Sequence, residues 1–374
     1  MPRLWFRPAV LAPVLALVYA LVLVLQTHNP LVIATLGARF APADLQADVY
    51  SDEGYDGQFA YYIARSGFDS APALDIAPYR LQRVLLPVLG WGVALGQENL
   101  LVWGLLAVNV LALGFGTWLI ERWLVALRLS RWLAVGYALS VGVLGSARLL
   151  TTETLAYALV LAGIEAYRRE RLGWMVLAFA LASLAKETTL IFPFALCVFW
   201  LWQGAWRRAF IVGALTLLPF ALWQGVLYAR FGALGVGSGG ALATSFEFIP
   251  LMGVLRILTE GGLNIFLVLF PLLGIFVLLP TLWGLVVTLR DPKRDIWAFW
   301  LFFNALLMLF VPFSTYREIL GILRFIVGLQ IAVILYAAHR RARRPLMYST
   351  LWMMTSLLVV LSDASALSSL PAHP

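Results

Sequence analysis

The sequence predicts an all-α fold: a polytopic transmembrane helical bundle of about eleven spans, forming one domain over residues 1–374. Three observations lead there. Of 374 residues, 62% are hydrophobic and only 12% charged, with a mean hydropathy of +0.89, far more apolar surface than water would solvate. Apolar runs recur from Pro8 to Ser362. In lipid each run must satisfy its own backbone hydrogen bonds, and with no strand-like alternation that leaves helices. Finally, basic and acidic residues are sorted along the chain in the way a membrane topology requires.

The first run, Pro8 to Leu25, follows Arg3 and Arg7 without a small-residue cleavage site, so it is read as a retained anchor. Spans follow at roughly 99–120, 132–150, 154–168, 172–186, 188–204, 208–228, 263–288, 296–313, 319–338 and 346–362, with the anchor at 8–26. Val84 to Gln97 is too short to cross and is expected to lie at the interface. The only cysteine, Cys197, sits inside an apolar run, so no intrachain disulfide forms.

Placing the N-terminus inside collects Arg3, Arg7, Arg122, Arg128, Arg131, Arg168, Arg169, Arg171, Arg207, Arg208, Arg290, Lys293, Arg294, Arg340, Arg341, Arg343 and Arg344 on the cytoplasmic side, 17 of the 27 basic residues. Of 19 acids, only Glu121, Glu165, Glu170, Asp291 and Asp295 join them. The net charge of +8 therefore reads as positive-inside topology and not as nucleic-acid binding. It leaves two long outer stretches, a first loop over 27–98 expected to carry interfacial helices and a second over 229–262. Loops of such length are commonly functional.

Within the first loop, Tyr50-Ser51-Asp52-Glu53-Gly54-Tyr55-Asp56-Gly57-Gln58-Phe59-Ala60-Tyr61-Tyr62-Ile63-Ala64-Arg65 sets three carboxylates beside an aromatic segment. Ser51 or Asp52 is expected to cap a helix over 51–65 lying along the membrane surface, apolar side down. Asp56 then falls in the first turn, where the helix dipole favours its ionised form. The acids serve equally well as caps and solvating groups.

The run Gly54-Tyr55-Asp56-Gly57-Gln58-Phe59-Ala60-Tyr61-Tyr62-Ile63-Ala64, followed by Tyr79-Arg80-Leu81-Gln82-Arg83-Val84-Leu85-Leu86-Pro87, resembles the first outer loop of bacterial GT-C glycosyltransferases, and more distantly that of the GPI-anchor mannosyltransferases. The resemblance covers residues 54–87 in motif and about the first 230 residues in span arrangement. It implies a multi-span, inverting enzyme of the bacterial cytoplasmic membrane. Such an enzyme moves a sugar from a polyprenyl-phosphate donor to a glycan, lipid or protein acceptor at the outer face. Asp56 would be the base, with Asp52, Glu53, Glu153 and Glu187 as supporting acids. Some members carry two adjacent acids at the catalytic position, whereas here the neighbour of Asp56 is Gly57.

Such chemistry needs a base for the acceptor hydroxyl, cations or a divalent metal for the leaving phosphate, and lipid access for the polyprenyl tail. Arg80 and Arg83, three apart, share a helical face and suit phosphate, or anionic lipid headgroups. Lys186, one of two lysines in the chain, sits at outer depth beside Glu187. Adjacent helical residues do not face each other, so the two are expected to pair with different partners, for instance Glu153 and an arginine. Charge closing a tight turn is the plainer alternative. Arg324 lies about a turn and a half inside a span, which suits a phosphate or carboxylate partner, or snorkelling. These four cations are the expected donor-binding set.

Gly235-Val236-Gly237-Ser238-Gly239-Gly240 lacks the flanking strand of a dinucleotide fingerprint and reads as a hinge, lid or linker. His28, His339 and His373 are too scattered for a zinc site, so no metal ligand is assigned. A transporter or lipid flippase would instead place polar groups near mid-bilayer. A non-catalytic subunit of a membrane complex would keep the fold without the activity.

Overall fold

The computed structural model describes residues 6–237 and 239–368, so Arg3, Ser238 and His373 lie outside the described residues. Its regular structure is helical, with a single isolated bridge between Gly37 and Ser51. Five helices are long and apolar enough to cross a membrane: Pro8–Thr27, Glu98–Ala126, Trp206–Phe231, Leu263–Leu289 and Arg343–Ser365. Ile319–Phe325 and Val327–His339, bent by 44° at their junction, make a sixth if counted as one span. Shorter apolar helices run over Leu172–Ala185, Glu187–Trp202 and Ile296–Met308.

Several of the expected spans are thus shorter than a bilayer, and the one expected at 132–150 is not one helix. It breaks into Arg131–Ala134, Val135–Ala138, a π-turn at Val141–Gly145 and the single turn Ser146–Arg148. Protein surrounds most of it, so irregular backbone can be satisfied locally, as where the Thr355 hydroxyl accepts the Val141 N–H at 3.0 Å. Gly142 marks a close contact within it: a Cβ there would stand 2.2 Å from Val327 Cγ2 and 2.7 Å from the Leu323 carbonyl oxygen, on either side of the 44° bend.

Charge is sorted to two ends of the bundle. One end holds Arg7 on Glu121 (2.7 Å), Arg168 and Arg169 on Glu165 (2.8 Å each), and Arg340 on Asp291 (2.6 Å) and Asp295 (2.8 Å). Glu165 closes the helix Glu153–Arg168, whose first residue, Glu153, faces the other end and the first loop.

The first loop does not lie flat on a surface. Its aromatic helix begins at Gly57 rather than near Ser51, spans Gly57–Ser66, and is buried from Gly57 through Ala64. It packs on Leu85–Val93 and Leu101–Ala126, so protein and not lipid covers its apolar side. The expected cap is also displaced: Asp56 occupies the N-cap position, and its carboxylate makes no capping bond. Leu85–Val93 keeps an open apolar face through Val88, Trp91 and Val93, each more than half exposed. The long helix Trp206–Phe231 braces the loop from the side, with Trp223 Nε1 donating to the Leu81 carbonyl at 2.9 Å.

Candidate active site

Asp56 is placed by its neighbours in sequence. The Tyr55 N–H donates to the Thr35 carbonyl at 3.0 Å, and Gly57 brings the new helix flush against the Leu149 carbonyl. A Cβ at position 57 would lie 2.0 Å from that oxygen. A side chain adjacent to Asp56 on that side therefore has no room.

The Asp56 carboxylate, 29% exposed, bridges two guanidinium groups: Arg80 Nη1 donates to Oδ1 at 2.9 Å and Arg324 Nη2 to Oδ2 at 2.7 Å. Burial alone would push its pKa up, but Arg80 and then Arg324 reverse that and hold it far below the ordinary carboxylate range. Arg80 is itself fixed by Asp75, through Nε to Oδ1 at 2.7 Å and Nη2 to Oδ2 at 2.9 Å, and its guanidinium lies 4.2 Å from the Phe59 ring centroid. For Asp75 burial again raises the pKa, and the hydrogen bonds and charge of Arg80 outweigh it and lower it.

Behind these lie two further pairs. Lys186 Nζ donates to Glu153 Oε1 at 2.7 Å, and Arg83 forks onto Glu187 at 3.0 and 2.7 Å. Lys186 and Glu187 thus turn to different partners, as their adjacency on the chain requires. Arg324 Nη1 stands 3.7 Å from Glu153 Oε1 and so ties the two halves together. A cavity of about 30 Å³ lies between them, its polar wall made by Asp56, Arg80, Arg83, Thr151, Glu153 and Arg324.

Of the residues singled out from sequence, Asp56, Arg80, Arg83, Glu153 and Arg324 border this cavity, and Lys186 and Glu187 support it from one bond away. Asp52 and Glu53 do not line it. Both are exposed, and Glu53 pairs with Arg39 at 3.0 Å on the surface. Arg148, five residues before Glu153, does not line it either and pairs with Asp363 at 2.6 Å. Sequence reasoning missed Asp75, Tyr55 and Thr151. Tyr55 supplies a ring 4.9 Å from the Arg324 guanidinium and donates its hydroxyl to Glu318 at 2.9 Å. Asp75 lies five residues before Arg80, and its partnership depends on a loop path that carries no periodicity.

The second long loop reaches the same place. Gln224 Oε1 accepts the N–H groups of Gly235 and Val236, at 2.8 and 3.1 Å, and Ala241 N–H donates to Asp75 Oδ2 at 3.2 Å. Among the described residues no three His, Cys, Asp or Glu side chains gather as a metal-ligand set. The cavity's carboxylates are engaged by arginine and lysine, so the residues present do not fit a divalent ion as they stand. No family model, curated protein or solved structure matches the chain.

Proposed function

We propose that the chain is an inverting glycosyltransferase of GT-C-like architecture. It would take a sugar from a polyprenyl-phosphate donor and transfer it to an acceptor hydroxyl at the outer face of a bacterial cytoplasmic membrane, with its N-terminus inside. The observation that carries the reading is the position of Asp56: a carboxylate at the start of a buried helix, on the wall of a cavity that three arginines also line. In the reaction Asp56 would accept the acceptor's hydroxyl proton as that oxygen bonds to C1 of the sugar. The bond from C1 to the phosphate oxygen breaks, its electron pair leaves on the phosphate, and Arg83 and Arg324 stabilise the charge. One displacement inverts C1. Lys186, Glu153 and Glu187 would hold the cations in register.

A non-catalytic subunit is the second reading, and one observation favours it: the cavity's acids are already ion-paired. A transporter is less well supported, because the ion pairs gather at two ends and not along a path between them.

Transfer by purified protein against a panel of polyprenyl-linked sugars decides between enzyme and subunit. Wild-type transfer that is lost in Asp56→Asn is the expected result; an absence of wild-type transfer with every donor leaves the subunit reading standing. Orientation is tested separately. An impermeant thiol reagent added to intact cells should label a cysteine at Asp56 but not one at Arg168, and the reverse pattern would overturn both topology and mechanism.

A further inference from the structure

Three arginines, Arg148 buried and Arg80 and Arg83 partly buried, use one edge of the guanidinium in the same way. In Arg80, Arg83 and Arg148 the Nε and Nη2 groups together grip a carboxylate, on Asp75, Glu187 and Asp363, with all six bonds between 2.6 and 3.0 Å. Arg324 departs from this. Its Nη2 donates to Asp56 Oδ2 at 2.7 Å, while Nε is buried without a hydrogen-bond partner. Arg324 is 6% exposed and lines the cavity. Thr151, 4% exposed, lines the same cavity, and its Oγ1, within reach of the Glu153 carboxylate, completes no full hydrogen bond. A half-used fork and a loosely held hydroxyl on one cavity wall are the complement of an oxyanion.

The cavity itself, about 30 Å³, has room for about two water molecules and not for a phosphate. A tetrahedral oxyanion that engages both Nε and Nη2 of Arg324 competes with Asp56 Oδ2 for Nη2. We propose that Arg324 and Thr151 form a phosphate seat for a lipid-linked substrate, and that filling this seat draws Arg324 off Asp56, so that the carboxylate is unmasked only while phosphate is bound. The choice of a lipid phosphate rests on the glycosyltransferase reading; the exchange of partners does not. After the exchange Asp56 keeps one bond, from Arg80 Nη1, whose guanidinium is otherwise committed to Asp75. A carboxylate that is a poor base at rest thereby regains basicity when the leaving group is in place, and donor is required before acceptor.

The test reads Asp56 directly and needs no turnover. Carbodiimide activates protonated carboxyl groups, so coupling to an added amine at mildly acid pH, mapped by peptide mass spectrometry on the full-length protein in nanodiscs, reports how firmly Asp56 is held. Undecaprenyl phosphate should raise labelling of Asp56 several-fold, and undecaprenol should not. Arg324→Gln should label at the raised level with no ligand and lose the response. Arg324→Lys, which keeps the charge but not the fork, should bind undecaprenyl phosphate more weakly, as should Thr151→Val. A rise with inorganic phosphate alone would support the seat and assign it to free phosphate. Undecaprenyl phosphate that binds yet leaves labelling unchanged or lowers it, or fails to bind with inorganic phosphate equally inert, would overturn the proposal. Raised labelling with no sugar transfer from any donor would sink the enzyme reading and leave the exchange intact.

Discussion

Two buried charge clusters lie near each other in this protein and are built on opposite plans. Around Arg148 each guanidinium nitrogen has an acceptor: Nε and Nη2 hold Asp363, and Nη1 donates to the Ile33 carbonyl and Thr35 Oγ1 at 3.1 and 3.3 Å. Asp363 Oδ2 also accepts the Tyr19 hydroxyl at 2.8 Å. That cluster pins the first helix, the first loop and the last helix to the broken segment at its centre. Around Asp56 there are more charges but fewer completed bonds, a solvent-reachable carboxylate and a guanidinium nitrogen, Arg324 Nε, without a partner. Complete satisfaction makes a clamp; incomplete satisfaction leaves something for a ligand to do.

The comparison can be broken in order of expected effect. Asp363→Ala strands a buried guanidinium and should cost about 3–5 kcal/mol of stability, read as a large drop in melting temperature. The fraction that remains folded should transfer sugar at the wild-type rate per molecule. Slowed transfer in that fraction would mean the two clusters are one site. Asp56→Asn should do the converse, lowering transfer by at least about 100-fold, the low end of general-base contributions, while the melting temperature stays within a few degrees of wild type.

Asp75→Asn sharpens the contrast through pH. Since Asp75 is held below its ordinary value, its pair with Arg80 adds stability that is complete above the unfolded value near about pH 4 and is lost as pH falls toward the lowered one. The gap in melting temperature between wild type and Asp75→Asn should therefore narrow as pH is taken from 7 to about 3; a gap that widens would mean the carboxylate contributes nothing as an ion. Smallest of all, Arg39→Ala should change stability by less than about 1 kcal/mol, because its pair with Glu53 is exposed, and should leave transfer untouched. A loss of transfer there would return Glu53 to the site.

What the sequence made legible was local. Apolar runs marked the helices, and the Tyr55-Asp56-Gly57 segment with its aromatic period marked the residue on which the cavity wall turns. The different partners of Lys186 and Glu187 were expected from helical geometry, but it is the extended backbone at Lys186, between two helices, that turns them apart. What stayed hidden was whatever depends on distant partners. Arg148 and Asp363 are 215 positions apart, and nothing in either neighbourhood announces the other. The segment at 132–150 reads as a span because its residues are apolar, and apolarity does not distinguish burial in lipid from burial in protein. The helix at Gly57–Ser66 was misplaced onto the membrane surface for the same reason.

Gly142 gives the site a remote dependency that a geneticist would meet before a biochemist. It lies beside the Arg324 backbone, and a methyl group there would press on Val327 and on the Leu323 carbonyl and stand 3.5 Å from the Arg324 Cα. Alleles such as Gly142→Ala should then surface in screens for lost activity, with the full complement of ionisable residues present and the arginine merely out of reach.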